Sequence, residues 1–245
     1  MSDTPAETKP SFRSDVTVEL VKHAAGDSDV LWAARVSTAG ENSLEELSKD
    51  PERSKGLINF LMRDRHGSPF EHNSMTFFVS APIFVFREFM RHRVGWSYNE
   101  ESGRYRELQP VFYVPGDDRK LVQQGRPGKY EFVAGTEAQQ TLTRRTLENS
   151  YVQAYEAYQE MLAAGVAREV ARAALPVGLF SSMYATCNAR SLMHFLGLRT
   201  QHEQAKVPSF PQREIEMVGE RMEEHWATLM PLTHAAFNLN GRVAP

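Results

Sequence analysis

Residues 87–105 have the sequence REFMRHRVGWSYNEESGRY. The first seven of them place three arginines and a histidine at the end of a predicted helix, 83–93, where basic groups face the negative end of the helix dipole. The last nine combine hydroxyls, an amide, carboxylates, a glycine and an arginine. Such a loop can offer backbone N–H groups and a guanidinium to a phosphate. The alternative for the basic end is a solvated helix face with no ligand.

The hydrophobic pattern on either side predicts an α+β fold in which a single helix-rich domain contains a small sheet. The predicted strands are 16–21, 75–79 and 178–186, with a short strand-like piece at 111–114. The other predicted helices are 27–36, one within 43–65, 137–164, 166–175, 189–198 and 213–230, with Asn188 well placed to cap the helix 189–198. The residues expected in the core from the two long helices are Leu57, Phe60, Leu61, Leu142, Leu147, Tyr151, Tyr155 and Leu162.

Length and composition narrow the class of protein. The 245 residues, 41% hydrophobic and 24% charged, are typical of a globular protein, and no apolar run approaches the roughly 20 residues of a membrane helix. The balance of 28 basic and 31 acidic residues argues against a nucleic-acid binder. One cysteine, Cys187, excludes an internal disulfide and is consistent with a reducing cytoplasm. We expect a disordered lead-in at 1–14, one domain at 15–237 and a loose tail at 238–245.

Common nucleotide and metal motifs are missing from the sequence. There is no Gly-x-Gly turn, no phosphate-binding loop, no His-Glu-x-x-His and no Gly-x-Ser-x-Gly. The histidines lack the spacing of metal ligands, so we expect no metal site. If the chain binds a nucleotide, it does so without any of these motifs.

Further polar groups are candidates for function. Arg168 and Arg172 lie four apart on a predicted helix, and Glu169 is spaced to pair with Arg172 in what could be a simple exposed ion pair. Cys187 has no identifiable base beside it, so we interpret it as a buried structural thiol. The remaining candidates are His66 in a loop between a helix and a strand, and the group Asn188, Arg190, His194 and Arg199.

Together, four blocks of residues in order along the chain resemble the flavin-dependent thymidylate synthase family. The likeness covers roughly residues 15 to 235. The first block runs from His66 to His72 without Gly67, the second contains Arg91, His92, Arg93, Ser97, Tyr98, Asn99, Glu100, Ser102, Gly103, Arg104 and Tyr105, the third contains Arg168 to Arg172, Leu175 and Pro176, and the fourth contains Asn188 to Met193, Leu198 and Arg199.

The resemblance implies that the small sheet is antiparallel, as in the fold of that family. It also implies an enzyme that methylates dUMP to dTMP. It implies methylenetetrahydrofolate as the one-carbon donor, FAD reduced by NADPH as the hydride source, and release of tetrahydrofolate. It also implies a homotetramer whose active sites form where subunits meet. A flavin held by loops of several subunits needs no glycine-rich turn.

The family's functional residues transfer to this chain by position. The resemblance implies a flavin site of Ser68, Arg91, His92, Arg93, Glu100, Asn188, Arg190 and His194. It implies a dUMP site of Glu88, Arg91, Ser102, Gly103, Arg104, Arg172 and Arg199. His66 resembles the family histidine on the folate and NADPH side, and Arg199 is the expected catalytic residue, stabilising negative charge as uracil N3 loses its proton.

This chain departs from the family pattern at three places. Between Arg93 and Ser102 it has one residue more than the commonest form, and we expect the surplus at Val94, Gly95 or Trp96. Glu88 stands where some members have Gln, and His194 where some have Asn. Two other classes remain as alternatives: a flavin- or nucleotide-binding protein without turnover, and an RNA-binding module built on residues 91–93.

Overall fold

The computed structural model describes residues 9–44, 50–126 and 129–245. Its helices are α1 Asp27–Ala39, α2 Pro51–Arg63, α3 Ile83–Phe89, α4 Glu137–Ala163, α5 Arg168–Ala171, α6 Ala189–Arg199, α7 Arg213–Leu229 and α8 Pro231–Leu239. Short 3₁₀ segments cover Gly40–Leu44, Ser68–Glu71 and Arg172–Ala174. Its strands are β1 Ser11–Arg13, β2 Thr17–Ala24, β3 Ser74–Pro82, β4 Trp96–Glu100, β5 Val111–Tyr113, β6 Val122–Arg126, β7 Lys129–Val133 and β8 Phe180–Cys187.

The predicted α+β class with a small antiparallel sheet is confirmed. A four-stranded sheet has the order β2-β3-β8-β4, and its β2-β3 and β4-β8 pairs are antiparallel. Between β3 and β8, the hydroxyls of Thr76 and Thr186 lie 2.9 Å apart. Within the described ranges, no helix combines the length and apolar character needed to cross a membrane.

The chain divides into two compact units. The first contains the described residues of Met1–Asp15 together with Ala81–Phe86 and Glu101–Ser181. Its core packs buried tyrosines of α4 around a phenylalanine of β5: the rings of Phe112 and Tyr151 stack with centroids 4.9 Å apart. Such aromatic burial is a large apolar contribution to stability.

The second unit contains the described residues of Val16–Ser80 together with Arg87–Glu100 and Ser182–Pro245. Here α7 contacts β2, α6 and α8, and α2 packs on α8. The fully buried Trp226 and Phe237 mark this helical core. Asn188 caps α6 as predicted, because its Oδ1 accepts from the backbone N–H of Ser191 at 2.9 Å.

Both predicted termini differ from the structure. Residues 11–13 of the expected disordered lead-in form β1, which pairs in parallel with β5. The pairing depends on backbone hydrogen bonds, and a strand of three residues shows no hydrophobic pattern in the sequence. Residues 1–8 of the lead-in lie outside the described residues. The tail is not loose either. It includes the end of α8, and Arg242 is only 3% exposed because its charge is paired inside the unit.

Two predicted core residues are at the surface. Phe60 is 42% exposed and Leu142 is 54% exposed. In α2 the inward face contains Ile58, Leu61 and Met62, and Phe60 points about 150° away from the centre of that face. The polar segment 94–135 also contains more strand than predicted, since β4, β6 and β7 lie in it.

Candidate active site

Arg199, the last residue of α6, makes two side-chain contacts in the second unit. Its Nη1 lies 2.8 Å from Oε2 of Glu88 in α3, and its Nε donates to Nε2 of His92 at 3.1 Å. The side chains of Arg199 and Glu88 are 22% and 29% exposed, so the ion pair is partly shielded from water. A guanidinium has five N–H donors and these two bonds use two, which leaves three for another partner.

His92 is neutral in this arrangement. Burial, together with the charge of Arg199 and of His194, lowers the pKa of His92 from 6.5 to about 4. A neutral ring can accept the Arg199 hydrogen bond, whereas an imidazolium could not. The imidazole also packs edge-on against Phe195, with ring centroids 4.9 Å apart. Arg199 is therefore oriented by one carboxylate and one uncharged acceptor.

The basic residues after α3 lie in a turn and not in a helix. The predicted helix 83–93 ends at Phe89, because the hydroxyl of Tyr98 donates to the carbonyls of Phe89 and His92 at 3.2 Å and 2.6 Å. Burial raises the pKa of Tyr98, so the phenol keeps its proton. Arg91 and Arg93 are exposed, and no carboxylate among the described residues forms an ion pair with either. They are available to an anion.

A tight contact joins this turn to the start of α6. Gly95 has φ +70°, and a Cβ there would lie 2.1 Å from Oγ of Ser191. That hydroxyl donates to the carbonyl of Val94 at 3.1 Å. Only glycine suits the position, because both the backbone and the space exclude a side chain. Asn188, also expected at the flavin, uses its Oδ1 as the helix cap.

Arg190 is held by three neighbours. It pairs with Oε1 of Glu71 at 2.5 Å, its Nε donates to the carbonyl of Pro245 at 2.6 Å, and its guanidinium crosses Gly67 so closely that a Cβ there would lie 2.6 Å from Cζ. His194 follows one turn later on α6 and is exposed. Partial burial and the charge of Arg190 lower the pKa of His194.

A cavity of about 710 Å³ lies in the second unit between α1, α2 and the loop after α2. Two predicted residues, His66 and Ser68, line it. The ring of His66 stacks on Phe60 at 5.5 Å with an interplanar angle of 27°, which explains why Phe60 is not in the core. The volume is in the range of small-molecule and cofactor sites.

Sequence reasoning missed four polar residues on the wall of this cavity. They are Arg35, Ser37, Thr38 and Arg53. The first three occupy the end of α1, and Arg53 is in the first turn of α2. Two hydroxyls and an arginine at the end of a short helix form a pattern that could have drawn attention to this region.

In the first unit, Arg104 pairs with Glu169, at 2.7 Å between Nε and Oε2. The predicted pairing of Glu169 with Arg172 is wrong, and so is the continuous helix 166–175: α5 is a single turn, and Arg172 begins a 3₁₀ segment. Arg104 and Glu169 are 51% and 59% exposed, so a solvated anion could compete for the arginine.

Gly103 is buried beside these groups. A Cβ on it would lie 3.3 Å from Cδ of Arg172 and 3.0 Å from Leu108. The hydroxyl of Ser102 accepts from the backbone N–H of Arg104 at 3.3 Å. The first unit thus brings together four of the predicted residues, Ser102, Gly103, Arg104 and Arg172.

The second unit holds the other predicted residues in distinct places. Glu88, His92 and Arg199 are in contact, and His66 and Ser68 share the cavity. Glu100 ends β4, opposite Met183 in the strand register. Cys187 is buried as expected, and burial raises the pKa of its thiol. Among the described residues, no group of three His, Cys, Asp or Glu side chains could hold a metal ion.

Comparisons with known proteins agree with one another. A family model described as "Thymidylate synthase complementing protein" matches residues 19–232. The flavin-dependent thymidylate synthase of Streptomyces avermitilis is 87% identical over the full length of both chains, and that of Tropheryma whipplei is 58% identical over 96% of this chain and 98% of the relative. A crystal structure of the UMP/dUMP methylase PolB from Streptomyces cacaoi bound with 5-Br dUMP superposes with TM-score 0.91 at 56% identity, covering 96% of this chain and 100% of that one.

Proposed function

Because the chain belongs to the flavin-dependent thymidylate synthase family, we propose that it methylates dUMP at C5 to give dTMP. Methylenetetrahydrofolate donates the one-carbon group, and NADPH reduces FAD. FAD, when bound, supplies the hydride, so the folate product is tetrahydrofolate. The observation that carries the proposal is the arrangement of Arg199. Glu88 and His92 orient its guanidinium, and its other N–H donors make no bond within the described part of the chain.

The task of Arg199 follows from its charge and its remaining N–H groups. Uracil C5 becomes more nucleophilic as N3 loses its proton, and a fixed guanidinium stabilises the negative charge that develops on the ring. Arginine keeps its own charge throughout, so it acts as a donor and not as a base. Glu88 and the neutral His92 hold the donor in one orientation before substrate binds.

The donor set of the second unit fits FAD. Arg91 and Arg93 are exposed cations that suit a pyrophosphate, and Arg190 is fixed beside Ser68 by Glu71 and Gly67. Glu100, Asn188, His92 and His194 complete the proposed flavin residues. The cavity with His66 supports a neighbouring place for folate or NADPH, because the stacked His66 and Phe60 rings present a flat aromatic surface.

Four of the proposed dUMP residues lie in the first unit. Arg104 and Arg172 can grip phosphate or carbonyl oxygens, Ser102 is a contact and not a nucleophile, and buried Gly103 lets the backbone approach the ligand. Glu88, Arg91 and Arg199 complete the set.

We also infer a homotetramer in the cytoplasm. The resemblance supports shared active sites, and the single buried Cys187 is consistent with a reducing compartment. Light scattering on the purified protein measures the assembly directly, and the visible absorbance of the same sample reports bound flavin.

Anaerobic turnover tests the proposal. Protein that is yellow as purified should form dTMP from dUMP when methylenetetrahydrofolate and NADPH are both supplied, and omission of any one should stop the reaction. Yellow protein without dUMP-dependent flavin oxidation would favour a flavin-binding protein without turnover. A flavin-free monomer that cannot be reconstituted would contradict the shared-site proposal.

A further inference from the structure

A buried ion pair in the second unit lies outside all the residues assigned above. Arg242 has a side chain only 1% exposed, and its guanidinium makes two parallel hydrogen bonds to Glu223 of α7, at 2.6 Å to Oε1 and 2.7 Å to Oε2. Asn238 accepts another at 2.6 Å, and His234 lies 2.8 Å from the same carboxylate. Burial by itself would raise the pKa of Glu223, but the bonds from Arg242 and His234 outweigh it and lower that pKa to about 2.

This pair reaches the end of α6. The second terminal nitrogen of Arg242 donates to Oγ1 of Thr200 at 3.0 Å. Thr200 is 3% exposed, caps the C-terminus of α6, and directly follows Arg199 in the chain. Its hydroxyl also donates to the carbonyl of Leu196 at 2.7 Å, and its own carbonyl accepts from Ser209 at 2.5 Å.

Close packing on both sides prevents this helix end from shifting. A Cβ on Gly219 of α7 would lie 2.7 Å from the methyl group of Thr200. A Cβ on Gly197 would lie 3.0 Å from the carbonyl oxygen of Arg242. Just past the helix, the backbone N–H of Gln201 donates to Glu216 of α7 at 2.9 Å. Atoms packed this tightly transmit small displacements instead of absorbing them.

From this geometry we propose that the Arg242–Glu223 pair positions Arg199, by fixing Thr200 and the last turn of α6. The inference rests on the role proposed for Arg199 in dUMP methylation. A buried ion pair is a weak source of net stability compared with apolar packing, and its best-attested use is to select one geometry. Arg242 and Glu223 act through Thr200, so they are positioning residues and not catalytic ones.

Thr200→Val is the sharpest variant, because it removes the hydroxyl and keeps nearly the same volume. Misplacement of a reacting group by an ångström can cost about a hundredfold in rate, so we expect single-turnover flavin oxidation with dUMP and methylenetetrahydrofolate to slow by about ten- to hundredfold. The matched control is Thr228→Val in α7, an exposed threonine whose hydroxyl makes the same kind of bond, to Glu224, at 3.1 Å. It should turn over like wild type.

A double-mutant cycle separates positioning from mere stability. If Thr200 acts through Arg199, Thr200→Val should slow Arg199→Ala no further. Arg242→Lys, which keeps a charge but loses the two-pronged contact, should behave like Thr200→Val and provides the test if that variant does not fold. A lower Tm with an unchanged rate would overturn the inference. If Arg199→Ala itself kept the wild-type rate, the proposed role of Arg199 would fail, and this inference with it.

Discussion

Nε of Arg199 donates to Nε2 of His92 across 3.1 Å, and this one bond joins a proposed dUMP residue to a proposed flavin residue. It exists because the pKa of His92, lowered by burial and by the nearby arginine, leaves the ring neutral. Burial, helped by the charge of Arg199, therefore keeps this acceptor unprotonated. Substrate and flavin residues are coupled within a single unit.

Arg199→Ala should slow methyl transfer severely. Loss of one charge-stabilising donor in a site shielded from water typically costs about 2.7–4 kcal/mol, roughly a hundred- to thousandfold in rate. FAD should stay bound, because Arg91, Arg93, Asn188 and Arg190 remain. Arg199→Lys should recover only part of the rate, since a point charge lacks the planar fork of donors. Single-turnover flavin oxidation measures the rate of each variant, and separate measurements of flavin occupancy and dUMP binding show whether the ligands are still bound. A near wild-type rate for Arg199→Ala would refute the role.

His92 should make stability depend on pH in a defined window. Its pKa is about 4 in the folded chain and 6.5 as the ordinary value, so the unfolded state binds the proton first as pH falls from 6.5 to 4. The free energy of unfolding should therefore decline in that window, and less so in His92→Gln. Urea titrations of both proteins across the window measure the difference. Identical pH profiles would show that His92 contributes nothing.

Other titratable groups are present in both wild type and His92→Gln. His202 also has a lowered pKa, but both proteins contain it, so its contribution cancels in the difference. His194 is in both proteins too, but its charge acts on His92, so the difference includes that interaction. Glu223, with a pKa of about 2 against an ordinary 4.5, loses its contribution to stability between pH 4.5 and 2. This range overlaps only the acid end of the histidine window, and both proteins contain Glu223.

Gly67→Ala should weaken flavin binding. A Cβ there would lie 2.6 Å from Cζ and Nε of Arg190, whose guanidinium Glu71 and Pro245 hold in place. Displacing one charge-assisted contact costs about 1.5–3 kcal/mol, so FAD affinity should fall roughly ten- to hundredfold. Gly56→Ala is the matched control: nothing lies within 4 Å of its Cβ, and an alanine inside α2 should raise stability by about 0.5–1 kcal/mol. Flavin titration of both apoproteins measures their FAD affinities. Equal affinities would mean that Arg190 can move freely.

Cys187→Ser should keep dTMP formation within about tenfold, a barrier change near 1.4 kcal/mol, because the buried thiol has a raised pKa and no base. Burying a hydroxyl in its place should lower the free energy of unfolding by about 1–3 kcal/mol. Steady-state turnover and thermal unfolding test the two parts separately. Complete loss of activity in a folded, flavin-loaded variant would point instead to cysteine chemistry.

Local signals in the sequence predicted much of the fold. The start of α6 follows from Asn188, because a cap acts on the backbone N–H groups of the next few residues. The end of α3 could not be predicted in the same way. The carbonyl of its last residue, Phe89, accepts from the Tyr98 hydroxyl, which reaches back from β4. Helix ends set by a tertiary contact leave no periodic pattern.

In the candidate site, too, the sequence predicted some features, and tertiary contacts set others that it could not show. The resemblance assigned Glu88 and Arg199 to one substrate, but their direct pairing across 111 positions of the chain is a result of the fold. Glu169 was expected to pair with Arg172 at helical spacing, and it pairs with Arg104, 65 positions away. Spacing rules hold only where the helix continues, and α5 ends at Ala171. The cavity residues of α1 were missed because only the fold brings them against α2 and the loop after it.

The turn before β4 determines how this chain should be aligned with shorter relatives. Trp96 is already in the strand, opposite Cys187, so we propose that the surplus residue implied by the resemblance lies at Val94 or Gly95. The turn is closed by the Trp96 N–H donating to the Arg93 carbonyl at 3.3 Å, and Val94 at its tip is 91% exposed. A residue gained or lost there changes the length of the chain and leaves the register of Tyr98 with Ala185 intact. An alignment gap placed after Trp96 would put every later strand residue on the wrong face of the sheet.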